Sequence, residues 1–209
     1  MGALQLQGST SGSVALIVPA VAGSSVITIP AITDTLVGLA ATQTLTNKTL
    51  QGGAITSATA QASTSGTSID FTGIPSWVKR ITVMVQGLSF AGASGAGRVQ
   101  IGTGGVLATT GYTSDNISVT GSNACSVGGY TNGLAVFNSN LAADTLWGVT
   151  TITNVSGNTW IATFNSNRSD NASARTGSGF ITLGGALDIV SVVATTGSFD
   201  AGTINIMYE

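Results

Sequence analysis

The sequence predicts an all-β protein in which an extended N-terminal segment, residues 1–60, precedes a β-sandwich of jelly-roll type, residues 61–209. Apolar and polar residues alternate along many short runs, and no run keeps a helical period for ten residues. Turn-forming groups such as Gly104-Gly105 and Ser156-Gly157-Asn158 separate these runs at the intervals of a two-sheet fold. Every aromatic residue lies after residue 60, so only the second block has the bulky side chains of a large core.

The N-terminal segment has the composition of extended chain rather than of an independent domain. It contains two charged residues, Asp34 and Lys48, and no aromatic residue. Its two apolar runs, residues 14–18 and 26–29, are each followed by a proline, which cannot donate to a sheet ladder. We expect this segment to become ordered by strand exchange with other copies of the chain or by docking on a larger particle. A disordered arm is the alternative.

Nine strands are predicted in the second block. Along residues 80–86, Ile81, Val83 and Val85 fall on one face of a strand, with more polar residues between them. Trp147 and Trp160 lie in strand-like runs whose alternate positions are small or polar, so both are predicted to be core or inter-sheet residues. The predicted strands cover residues 68–71, 80–86, 98–101, 134–137, 147–153, 159–164, 180–183, 187–194 and 203–208.

The charge content excludes several classes of function. The chain has six Lys or Arg residues and eight Asp or Glu residues, and this low content suits a subunit whose surface is covered in an assembly. A net charge of −2 without a basic cluster argues against nucleic-acid binding. No apolar run approaches the ~18 residues of a membrane span, so no membrane insertion is predicted. The first residues lack the basic and apolar regions of a secretory signal.

No catalytic residue is predicted. The sequence contains no His, and Glu209 is its only Glu, so Ser–His–Asp and Cys–His arrangements are excluded. The aspartates stand singly in runs of Ser, Asn and Gly, where they are typical of turns. Cys125 is the only cysteine. We therefore predict no enzyme activity, no cofactor and no metal site. A weak calcium site built around Asp170 is the alternative.

Residues 42–50, Thr-Gln-Thr-Leu-Thr-Asn-Lys-Thr-Leu, resemble a segment that recurs in fibre and tail proteins of tailed bacteriophages. Leu45 and Leu50 are its large apolar residues, with Asn47 and Lys48 between them. Two leucines cannot form a core in one chain, but parallel copies can bring them together on an axis. The resemblance implies that this segment attaches the protein to the particle and joins its copies. An ordinary polar linker is the alternative.

Residues 69–83, Ile-Asp-Phe-Thr-Gly-Ile-Pro-Ser-Trp-Val-Lys-Arg-Ile-Thr-Val, resemble the start of a β-sandwich module at the distal end of phage tail proteins. The two resemblances together imply a virion structural protein, assembled in the bacterial cytoplasm as a short fibre or tail-tip component. They also imply a homotrimer that binds another virion protein of the tail or capsid. A capsid-decorating protein or head fibre without a receptor-binding role is the alternative. A bacterial surface lectin is a weaker one.

Host contact is expected on loops at one end of the sandwich, because loops are free to vary while strands are occupied with packing. Amide, guanidinium and carboxylate groups suit the hydroxyl groups of a host cell-surface glycan, and an exposed Trp or Tyr nearby would add a stacking face. A solvated hairpin loop is the alternative. The first candidate residues are Asn165, Asn167, Arg168, Asp170 and Asn171, and a second candidate loop tip is formed by Tyr112, Asp115 and Asn116.

Overall fold

The computed structural model describes residues 3–7, 11, 13–17, 55–92, 94–122, 124–169 and 173–209. The chain divides into two compact units, Met1–Thr49 and Leu50–Glu209. In the first unit, strands β1 (Ala3–Gln7) and β2 (Ser13–Ile17) form an antiparallel hairpin in which Ala3 lies opposite Ile17. The second apolar run and the 42–50 segment lie outside the described residues, and so do Leu45, Asn47, Lys48 and Leu50.

The second unit is built from strands, and its described residues include no helix. Two short strands come first, and the later strands have from two to eleven residues. The strands are β3 (Thr56–Ser57), β4 (Gln61–Ala62), β5 (Ser68–Thr72), β6 (Arg80–Phe90), β7 (Ala96–Thr103), β8 (Val106–Leu107), β9 (Thr113–Val119), β10 (Cys125–Tyr130), β11 (Val136–Asn138), β12 (Leu146–Ser156), β13 (Thr159–Arg168), β14 (Ser173–Thr182), β15 (Ile189–Thr196) and β16 (Phe199–Tyr208).

These strands form two antiparallel sheets, the arrangement of a β-sandwich. The large sheet has the order β10-β9-β14-β13-β12-β6-β16-β3, and β4 also pairs with β16. The small sheet has the order β11-β7-β15-β5, and β8 also pairs with β7. The prediction of an all-β fold is therefore confirmed for this unit.

One apolar core joins the two sheets. Ile81, Val83 and Val85 of β6 are buried on the face that the alternation of the sequence predicts. Val99 of β7 and Val190 of β15 belong to the same cluster from the small sheet. The core-facing side of the large sheet is therefore the side that carries Ile81, Val83 and Val85.

The chain enters the second unit along the edge of the large sheet. Thr56 lies opposite Tyr208, and Gln61 lies opposite Ile204, so residues 56–62 run beside β16. Between these pairs the amide of Ala58 donates to the carbonyl of Ile206 at 2.9 Å. Residues 56–58, which the sequence assigned to the N-terminal segment, are therefore paired with the sandwich.

Each of the nine predicted strands has a counterpart in the structure, but β9, β10 and the two-residue strands β3, β4 and β8 were not predicted. In β9 the buried face carries Ser114, Asn116 and Ser118, whereas Ile117 and Val119 are exposed. The usual relation between polarity and burial is inverted in this strand. The second candidate loop tip was therefore wrong, because Asp115 and Asn116 lie within β9 and Tyr112 is buried.

The two tryptophans predicted to be buried have different environments. Trp160 is 4% exposed and belongs to the core, as predicted. The prediction for Trp147 was wrong, because 43% of its surface is exposed. The core face of β12 is instead the opposite face of the strand, which includes Leu146, Thr150 and Ile152.

Tyr112 adds a side-chain hydrogen bond to the small sheet at Ile101 of β7. Its hydroxyl accepts a hydrogen bond from the amide of Ile101 at 2.9 Å and donates to the carbonyl of Ile101 at 3.0 Å. Strands β8 and β11 pair with β7 on either side of this point, at Gly102 and Arg98. The Ile101 carbonyl also accepts from the amide of Ala108 at 3.0 Å, so the amide of Ile101 is the group that depends on the Tyr112 hydroxyl.

We expect the Tyr112→Phe variant to be destabilised by about 1–3 kcal/mol, because it leaves a buried backbone amide without its partner. The free energy of unfolding from urea titration measures the effect. Tyr208→Phe is the control, since the Tyr208 hydroxyl makes no hydrogen bond within the part of the chain that the structure describes. Equal stability of the two variants would contradict the bridging role.

Because of the buried Tyr112 hydroxyl, we expect the free energy of unfolding to depend on pH in the alkaline range. Burial raises the pKa of Tyr112 to about 12, against a smaller opposing effect of its hydrogen bond to Ile101. An unfolded tyrosine ionises near pH ~10, so the folded state holds the proton more tightly. This contribution to stability is complete below pH ~10 and is lost as the pH rises through the folded pKa. The free energy of unfolding should fall less over this range in Tyr112→Phe than in the parent protein.

Candidate functional site

The outer face of the large sheet presents an exposed aromatic side chain among amides. On β12, Trp147 lies opposite Asn167 of β13, and Val149 lies opposite Asn165. The side chains at these four positions share one face, because residues that oppose each other in a ladder point the same way. This face is the one that the core does not use.

A shallow depression of about 420 Å³ adjoins Trp147 on the other side, over β12, β6 and β16. Trp147, Val149 and Met84 supply its apolar surface. Gln86, Thr203 and Asn205 supply amide and hydroxyl groups, and no charged residue lines it. We call Trp147, Asn165, Asn167 and this depression the Trp147 site.

The Trp147 site has the chemistry that suits a neutral, hydroxyl-rich ligand. An indole ring offers a flat apolar surface, and amides supply both hydrogen-bond donors and acceptors. A formal charge would have to be neutralised or desolvated when an uncharged ligand binds, and the depression contains none.

The structure separates the residues of the first candidate loop. Asn165 and Asn167 lie in β13 on the outer face, at the Trp147 site. Arg168 is the last residue of that strand and is 3% exposed, so it cannot donate to an external ligand. Asp170 and Asn171 lie outside the described residues.

Arg168 positions the segment that leads into the site. Its Nε atom lies 3.7 Å from Oδ2 of the buried Asp144, and its Nη1 atom donates to the carbonyl of Asn138 at 3.3 Å. The same Oδ2 atom accepts hydrogen bonds from the amides of Asn140 and Leu141, at 2.7 and 2.9 Å. This network closes a turn that ends two residues before β12 begins. Arg168 is therefore a structural residue behind the site.

A second buried arginine reinforces the same region. Arg98 packs over the ring of Tyr130, with its guanidinium carbon 4.2 Å from the ring centre, and donates to the side chain of Asn138 at 3.2 Å. Burial lowers the pKa of Arg98, and the nearby Arg175 acts in the same direction while Tyr130 opposes it. Arg175 donates to the Asn138 carbonyl at 3.2 Å. Three arginines from three strands thus converge on one asparagine, and no local sequence pattern indicated this.

Comparisons with protein-family models, with curated proteins and with solved structures find no match to this chain. Within the described residues no helix is long and apolar enough to cross a membrane. That same part of the chain brings together no group of three His, Cys, Asp or Glu side chains that could hold a metal ion.

We expect Arg168→Gln to lower the free energy of unfolding by about 3–5 kcal/mol, because the buried Asp144 carboxylate loses its counter-charge. Arg80→Gln is the matched control, since Arg80 pairs with Glu209 at the surface and such pairs contribute about 0–1 kcal/mol. Chemical denaturation of the two variants measures the difference. A small effect of Arg168→Gln would show that the pair does not stabilise the turn.

Proposed function

We propose that the protein is a structural component of a tailed-phage virion, a short fibre or tail-tip protein assembled in the bacterial cytoplasm. Residues 1–60 form an attachment arm that joins copies into a homotrimer and binds another virion protein. The jelly-roll-like sandwich contacts the host surface. The observation that carries the host-contact role is the exposed Trp147 beside Asn165 and Asn167, on an uncharged part of the sheet.

The position of the Trp147 site along the sheet supports this division of labour. Thr153 of β12 pairs with Arg80, at the end of the sheet where residue 55 enters and Glu209 ends the chain. Trp147 lies six residues away on the same strand, or about 20 Å at the rise of a β-strand. A domain held through its N-terminal end therefore presents Trp147 on the half away from the attachment.

A glycan is the host ligand that this chemistry favours. Sugars present an apolar ring face together with hydroxyl groups, which match an indole and amides. A single exposed site of this size binds weakly, with a Kd of about 1 mM or ~4 kcal/mol. Three sites on a trimer gain avidity when they bind one surface together. A neutral site also explains how binding can occur without a basic or acidic patch.

We expect particles carrying Trp147→Ala to adsorb poorly to host cells. The loss of about 1.4 kcal/mol at each site reduces single-site affinity about tenfold, and multivalent attachment amplifies that loss. Asn167→Ala should act in the same direction. Val155→Ala is the control, because Val155 is an exposed residue at the other end of the same strand.

Normal adsorption by Trp147→Ala particles that contain the folded protein would contradict the host-contact role. It would favour a capsid-decorating protein or head fibre, for which the exposed sheet serves only to cover the particle.

The attachment role predicts that a protein beginning at Ile55 folds but does not enter particles. This truncation keeps β3 and β4, which pair with β16, and removes residues 1–54 of the proposed arm. Circular dichroism and thermal melting should match the sandwich of the full chain, while immunoblots of purified particles should lack the truncated protein. Incorporation at the normal copy number would refute the role of residues 1–54.

A further inference from the structure

The end of the sandwich where the chain enters carries large exposed apolar side chains. Trp77 is 57% exposed and Ile55 is 55% exposed. The ring of Trp77 lies 6.0 Å from the ring of Tyr208, measured between centres, at an angle of 52°. We call Ile55, Trp77 and Tyr208 the entry surface.

The entry surface is part of a well-defined end of the fold. The amides of Lys79 and Arg80 donate to the carbonyl of Glu209 at 2.7 and 2.9 Å, so the turn after Trp77 is fixed to the C-terminal strand. Thr56, next to Ile55, pairs with Tyr208. Arg80 and Glu209 pair with each other, so their charges are neutralised within one copy. Exposed apolar side chains that are grouped in this way mark surfaces that contact another molecule, whereas singly scattered ones do not.

The chain length before Ile55 limits what can cover this surface. Leu50, the end of the proposed oligomerisation segment, is five residues from Ile55, a span of at most about 18 Å in extended chain. If residues 42–50 of several copies meet on one axis, every Ile55 lies within that distance of the meeting point. Tethering at this range gives an effective concentration on the order of millimolar or higher between copies.

We propose that the entry surface packs against the entry surfaces of neighbouring copies of this chain, with Trp77 as its central residue. The proposal rests on the proposed function, in which residues 42–50 join the copies. The N-terminal segment supplies the proximity, and Trp77 and Ile55 supply apolar area that water would otherwise cover. The sandwiches are then held together at one end, while the Trp147 site stays open at the other.

The chain contains its own matched comparison for this proposal. Trp77 and Trp147 are both exposed in a single copy, whereas Trp160 is buried. Contact between copies at the entry surface should protect Trp77 from a soluble quencher and leave Trp147 accessible. Acrylamide quenching of the full-length protein, of Trp77→Phe and of Trp147→Phe assigns the emission of each residue by difference. Light scattering on the same samples gives the oligomeric mass.

In an oligomer we expect a quenching constant several-fold lower for Trp77 than for Trp147. Equal quenching of the two residues in a protein of confirmed oligomeric mass would overturn the proposal while leaving the oligomer itself intact. A full-length protein that stays monomeric at micromolar concentration would instead contradict the oligomer of the proposed function, and this inference with it.

A variant test gives a second readout. Trp77→Ser should shift the oligomer towards monomer on dilution at concentrations where the parent protein and Trp147→Ser remain associated. Because Trp77 is exposed in the single chain, its replacement should leave the circular dichroism spectrum unchanged. An unchanged dilution profile for folded Trp77→Ser would also overturn the proposal.

Discussion

Burial of one face of β6 fixes the positions of the side chains across the large sheet. Ile81, Val83 and Val85 enter the core, so the residues between them point outwards. Pairing then determines which residues of β12 point outwards, because Val149 lies opposite Met84 and Trp147 precedes Val149 by two residues. A slip of one residue would turn Trp147 into the core and Leu146 into water. The exposed site is therefore a consequence of how the core is packed.

The part of the large sheet that is formed by β9, β14 and β13 is packed differently. Gly177 and Gly179 face the interior there, and a Cβ atom at these positions would come within 2.3 Å of the Asp115 carbonyl and 2.7 Å of the Ser114 side chain. The ring of Phe164 occupies the space above Gly177, where the nearest ring atom would lie 2.5 Å from such a Cβ. One large ring over small residues fills this region, and the apolar residues of β9 are left outside.

These two packing rules explain what the sequence could and could not predict. The alternation of β6 follows polarity, so its buried face was predicted correctly. The alternation of β9 opposes polarity, and the strand was read as a loop. In β12 both faces carry apolar residues, and only pairing with β6 decides that Trp147 is outside. Arg168 stands in a polar run typical of a loop, yet its partner Asp144 is 24 residues earlier, and no local pattern shows that distance.

The three tryptophans of the chain illustrate how a protein with little charge can use aromatic residues. Trp160 stabilises the core, whereas Trp147 and Trp77 expose large apolar areas at separate ends of the domain. Charged surfaces normally keep such residues from non-specific association, and this chain has few charges to do so. Under our proposals a neutral sugar covers Trp147 and a neighbouring copy covers Trp77, so neither surface requires additional charge.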